Sequence, residues 1–150
     1  MIDRFERFTF ALSEISRHWH KLTADEMAKY GLKGTHSIYL LTLSRYPEGL
    51  TAPELCQHCD RDKADVSRMM SIMEKKGLVS KQYIGNSKYR GIFQLTSAGL
   101  EAADHVRQKA NQAVAFAGKD LSDDSREAFY TAMETIVNNL RQLSKDGIPE

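Results

Sequence analysis

The hydrophobic period of this chain changes at Gly77 and changes back at Thr96. Before Gly77, the stretch "KADVSRMMSIMEKKG" puts Val66, Met69, Met70 and Met73 on one face at about 100° per residue, the mark of an amphipathic helix. After it, "LVSKQYI" and "GIFQLT" are rich in β-branched and aromatic residues and are joined by a polar link, "GNSKYR", which predicts a β-hairpin. Upstream, Thr51 with Glu54 three residues on forms a capping box, and Pro53 is tolerated in a first turn, giving a short helix over about 52–59. "DRD" makes the turn, Asp62 with Asp65 caps the following helix in the same way, and Gly77 supplies the left-handed residue that stops it. Short helix, tight turn, helix, hairpin is the order of a winged helix-turn-helix.

The flanks are helical. Phe5, Phe8, Leu12, Ile15, Trp19 and Leu22 step by threes and fours along one stripe of a helix that ends near residue 29. Gly31 and Gly34 punctuate it, and Thr35 is placed to cap a second, mostly apolar helix, "THSIYLLTLSRY". The helical period returns with Leu100, Ala103 and Val106 and runs to about Gly118. Ser122 is placed to cap a last helix, whose Phe129, Met133, Ile136, Leu140 and Leu143 form a heptad-like seam. The expected fold class is therefore mainly α: a winged helix-turn-helix lobe over 35–96 with a short β-hairpin wing, flanked by N- and C-terminal dimerisation helices over 1–34 and 97–150 in one intertwined domain. The flanking helices carry more apolar stripe than one small lobe can use, and a homodimer that buries them is the economical reading.

The 150 residues suffice for one domain or two small lobes sharing a core. No apolar run approaches the roughly 18 residues that span a bilayer, and "MIDRFERFTFALSE" mixes charge into its apolar positions. A cytoplasmic protein without a membrane partner is expected. The net charge is only +1, but residues 61–90 hold eight cations against three anions, +5, while the rest of the chain holds 13 cations and 17 anions, −4. Positive charge is concentrated around the amphipathic helix, as in nucleic-acid binding proteins. No Ser-His-Asp set or phosphate loop is legible, so no catalytic residue and no cofactor is expected.

The polar face of that helix is short-chained around one long cation, which suits close approach to base edges in a major groove. Ser67, Arg68 and Ser71 stand at its centre, Lys63 and Ala64 at its entering end, and Asp65 is able to accept from cytosine. Thr51 is placed to donate to phosphate, and Lys88 and Arg90 on the hairpin link suit the minor groove or the backbone.

These residues carry a resemblance. "LTAPELCQHCDRDKADVSRMMSIMEKKGLV" followed by "FQLTSAG", with "GLKGTHSIYLL" before it and "LSDDSREAF" after it, resembles the MarR family of bacterial transcriptional regulators over nearly the whole chain. The resemblance implies a dimeric winged helix protein on palindromic promoter DNA, usually a repressor released by a small molecule or oxidant. It selects Lys63, Ala64, Asp65, Ser67 and Arg68 as DNA readers. One departure stands out: the family's wing commonly carries Asp-x-Arg, and "GNSKYRG" offers Arg90 with no aspartate nearby.

The resemblance also implies an effector site where dimer helices meet the winged lobe, for which Arg17, Trp19, His20, His36 and Tyr39 are the candidates. Imidazoles there suit a small anionic or phenolic ligand; the plainer account is polar side chains rimming a core. Cys56 and Cys59 fall on the buried face of the short helix, where cysteine packs as a small apolar residue. A zinc site needs two further ligands that the spacing does not supply, so no metal is expected. Oxidation sensing needs an exposed, low-pKa thiolate. A cysteine-based redox regulator and a winged helix protein-interaction module are the alternative readings.

Overall fold

The computed structural model describes residues 1–83, 85 and 91–150. Two compact units divide the chain, Met1–Ala110 and Asn111–Glu150. The elements are α1 (Arg4–Ala28), a 3-10 turn (Gly34–His36), α2 (Ser37–Ser44), β1 (Leu50–Thr51), α3 (Ala52–Cys59), α4 (Lys63–Lys75), β2 (Val79–Tyr83), β3 (Gly91–Leu95), α5 (Ser97–Ala117) and α6 (Asp123–Asp146).

The first unit holds the winged lobe. Its core gathers Tyr39, Leu40 and Leu43 of α2, Leu55 and Cys59 of α3, the Val66, Met69, Met70 and Met73 face of α4, Phe93 of β3, and Ala102, Ala103 and Val106 of α5. α3 begins on the expected capping box, in which the Glu54 N–H donates to Thr51 Oγ1 and Glu54 Oε2 accepts from the Thr51 N–H. It ends on Asp60, whose φ of +52° closes the turn without a glycine. At the far end of α4, Gly77 takes φ +73°, the left-handed conformation in which a Cβ would be strained. β2 and β3 pair antiparallel from Val79 with Leu95 to Tyr83 with Gly91.

Three local expectations are corrected. The sheet has three strands in the order β1-β3-β2, because Leu50 and Thr51 pair with Phe93 and Ile92. Thr35 does not cap α2; it lies inside the 3-10 turn, where His36 Nδ1 accepts from the Lys33 N–H at 3.0 Å. Leu100 is exposed; α5 buries Ala103 and Val106 as expected, together with Gly99 and Ala102. Ile72 packs against the core, half-buried.

The apolar stripe of α1 is largely uncovered: Phe5 is 74% exposed and Ile15 61%, with Met27 the buried residue of the helix. In the second unit, Ser122 caps α6 by accepting from the Ser125 N–H. Phe129, Met133, Ile136, Leu140 and Leu143 of α6 are likewise exposed. No helix among the described residues is long and apolar enough to cross a membrane.

Candidate nucleic-acid interface

α4 starts where Asp62 Oδ1 accepts from the Asp65 N–H at 2.7 Å. With its apolar face buried, the helix presents Lys63, Ala64, Ser67, Arg68, Ser71 and Lys75 to solvent as a ridge of short side chains and cations. A hollow lies on each side of this ridge.

The first hollow, about 560 Å³, is lined by Thr51, Ala52 and Pro53, by Lys63, Ser67, Ser71 and Glu74 of α4, and by Lys81, Gly91 and Phe93 of the sheet. Four sequence-selected residues, Thr51, Lys63, Ser67 and Ser71, therefore face one depression. Thr51 spends an oxygen lone pair on its cap, which leaves the O–H as a donor. Lys81 entered the sequence reading only as part of the local charge. Its Nζ lies 5.1 Å from the Tyr83 ring centre and 5.3 Å from that of Phe93, so two aromatic faces hold this cation at the rim. Strand alternation carried the signal: Lys81 and Tyr83 share a face of β2 and oppose Phe93 and Gly91.

The second hollow, about 470 Å³, is lined by Lys33, Thr35, His36, Arg61, Asp65, Arg68, Met69 and Ile72. Ile72 thus faces this hollow, away from the hairpin side. Here the Tyr39 hydroxyl donates to Asp65 Oδ2, and Arg68 Nη2 donates to Asp65 Oδ1 at 2.9 Å. The bond from Tyr39, then the bond and the charge of Arg68, hold the Asp65 carboxyl below the usual carboxylate range. Burial, reinforced by the Asp65 charge, pushes the Tyr39 phenol well above its ordinary value, so it is a permanent donor. Ala64 is exposed on the ridge and lines neither hollow. Lys88 and Arg90 lie outside the described residues.

Of the candidate effector residues, His36 and Tyr39 both come to Asp65, although Tyr39 is only 1% exposed and touches it from the core side. Arg17, Trp19 and His20 are exposed on α1, Arg17 within 3.8 Å of Glu14, and none of the three lines either hollow. Burial lowers the His36 pKa from its usual 6.5, with the Lys33 charge acting in the same direction and Asp65 against it. A proton on Nδ1 also removes the acceptor for the Lys33 N–H. The unfolded chain therefore binds this proton more tightly than the folded one. The stability that neutral His36 contributes is complete above about pH 6.5 and is lost as pH falls through the lower folded value. Asp65 titrates below this window and Tyr39 above it. The urea midpoint is expected to fall between pH 7 and pH 5, and His36→Gln should flatten that part of the profile.

Cys59 is buried, with burial pushing its thiol up, the opposite of what a reactive thiolate needs; Cys56 packs half-buried against the core. Among the described residues no three His, Cys, Asp or Glu side chains come together to hold a metal ion. His105 contacts Glu26 at 3.0 Å.

Residues 30–82 match the family model of the MarR family. No curated protein matches the sequence. Among solved structures, the chain is similar to a MarR family transcriptional regulator from Listeria monocytogenes complexed with a 26mer DNA, at 20% identity and TM-score 0.78 over 100% of this chain and 99% of that one. It is similar to a MarR transcriptional regulator from Methanosarcina mazei at 18% identity and TM-score 0.78, covering 92% of this chain and 99% of that one. A third is the MepR–DNA complex of S. aureus, at 15% identity and TM-score 0.78, covering 88% and 97%. The fold is that of MarR family transcriptional regulators.

Proposed function

We propose that this protein is a dimeric, sequence-specific DNA-binding regulator of MarR type, acting as a repressor on an inverted-repeat operator. The observation that carries the reading is the capped ridge of α4, with Thr51, Lys63, Ser67, Ser71 and Lys81 gathered around one hollow beside it. Short side chains allow the helix axis to approach base edges, Arg68 has the reach and the planar donor fork that match guanine, and Thr51 and Lys81 flank it as phosphate contacts. Two of the similar structures hold DNA. The exposed stripes on α1 and α6 support a second copy as their cover, since apolar surface of this extent is rarely left to water. Two-fold symmetry then places two α4 ridges on half-sites about one helical turn, roughly 10 base pairs, apart. Release by a small anionic or phenolic effector belongs to the same reading, because Lys33, His36, Arg61 and Arg68 surround the second hollow. An effector changes DNA affinity only by binding two arrangements of the dimer unequally.

Selection of binding sites from random duplex DNA at two salt concentrations tests this. The expected result is an enriched inverted repeat with half-sites about one turn apart. Weak retention that collapses with salt and enriches no sequence would reduce the basic segment to a backbone-binding surface and overturn the proposal.

A further inference from the structure

The Asp65 carboxylate is shared between the core and the ridge. One oxygen accepts from Tyr39, a residue of α2 that is 1% exposed, and the other accepts from Arg68, whose side chain is 65% exposed. An Asp–Arg pair three residues apart on an exposed helix ordinarily contributes little and swings freely, because both side chains have many rotamers and water competes for them. Here one end is not free. The Tyr39 ring is locked among core side chains, so its hydroxyl has one position, and a carboxylate bonded to it has a restricted rotamer. The guanidinium fork bonded to the other oxygen inherits that direction. One N–H of Arg68 is used on Asp65, and the remaining donors of its planar fork stay available for a base edge. Each Asp65 oxygen already accepts one bond, and these two bonds tie the ridge to the core.

We propose that Tyr39 is a positioning residue for DNA-base recognition: through Asp65 it fixes the direction of Arg68 and thereby sharpens the preference at the one base pair that Arg68 reads. This rests on the DNA-binding reading above. It assigns Tyr39 and Asp65 a role in specificity that needs no contact of their own with DNA, carried by one hydrogen bond that crosses from α2 to α4 and one within α4.

The test uses the full chain and the operator enriched by the wild type. Arg68→Ala first identifies the base pair whose preference is lost. Tyr39→Phe then removes one oxygen and keeps the ring in the core; Asp65→Asn, on the half-buried side, is the second variant in case the first disturbs folding. Each is expected to reduce discrimination at that base pair by roughly threefold to tenfold, to leave preferences elsewhere and the salt slope unchanged, and to add nothing when the two are combined. Full discrimination in both variants overturns the inference, as does equal relaxation at every position, which marks general loosening. Tighter binding to all sequences also overturns it, because Asp65 then restrains Arg68 from the duplex. A wild type that enriches no sequence overturns the DNA reading itself; a wild type with a clear operator and unaffected variants overturns only the role of Tyr39.

Discussion

Replacing Gly99 with alanine is expected to destabilise the winged lobe by about 3–5 kcal/mol, although glycine to alanine inside a helix ordinarily stabilises by about 0.5–1 kcal/mol. A Cβ at this position would lie 2.1 Å from the carbonyl oxygen of Leu78 and 3.1 Å from Leu95 Cδ2. The neighbour is backbone, not the far end of a flexible chain, so α5 or the turn after α4 has to move. That movement reaches three hydrogen bonds at once. Leu78 O accepts from the Thr96 N–H at 3.0 Å. The Thr96 hydroxyl donates to Gly77 O at 2.6 Å and accepts from the Gly99 N–H at 3.1 Å. Overpacking accounts for about 1–3 kcal/mol and the weakened bonds for about 0.5–1.5 kcal/mol each. Urea unfolding measures the loss, with Glu101→Ala, on an exposed position of the same helix, as the control. A variant within 0.5 kcal/mol of wild type would mean that this junction is looser than the packing requires.

The second large effect is on binding. Arg68→Ala is expected to cost about 1–3 kcal/mol of affinity for the selected operator, roughly fivefold to 150-fold, and to relax the preference at one base position. Its thermal stability should barely change, since the side chain is exposed and its pair with Asp65 stands at the surface. Fluorescence anisotropy against the operator and its single-base variants measures both quantities. Unchanged affinity would remove α4 from the DNA surface and favour a winged lobe that docks protein.

The parts of this fold that were legible in sequence are those whose partners lie within one turn of helix or one hairpin. Thr51 with Glu54, Asp62, Gly77, Ser122 and the Val66–Met73 face all act on neighbours three to seven residues away, where capping chemistry and periodicity operate. Thr35 misled because a hydroxyl before an apolar run reads as a cap, while the structure uses the His36 ring instead. Leu100 misled because steps of three fit more than one face; the buried face of α5 keeps the expected Ala103 and Val106 but adds Gly99 and Ala102, too small to stand out in hydropathy. The strand at Leu50–Thr51 has only two residues, too few to alternate, and its partners come from β3. At the candidate site, the small residues and cations of the ridge were legible as one helix face. The bond from Tyr39 to Asp65 joins positions 26 apart, and nothing local marks it.

The two-residue strand has a mechanical consequence. Thr51 pairs with Ile92 in the sheet and is also the first anchor of α3; α3 runs through the turn into α4, α4 into β2, β2 pairs with β3, and β3 pairs back with Thr51. The described elements thus close on themselves as a linkage: a push on the sheet is delivered to the start of α3, and a push on α4 returns to the sheet. Bending inside such a linkage breaks a pairing, so the lobe resists changes of its own shape. What remains adjustable is where the lobe as a whole stands and how it is turned, and under the DNA-binding reading proposed above, affinity for a rigid duplex follows from those two quantities.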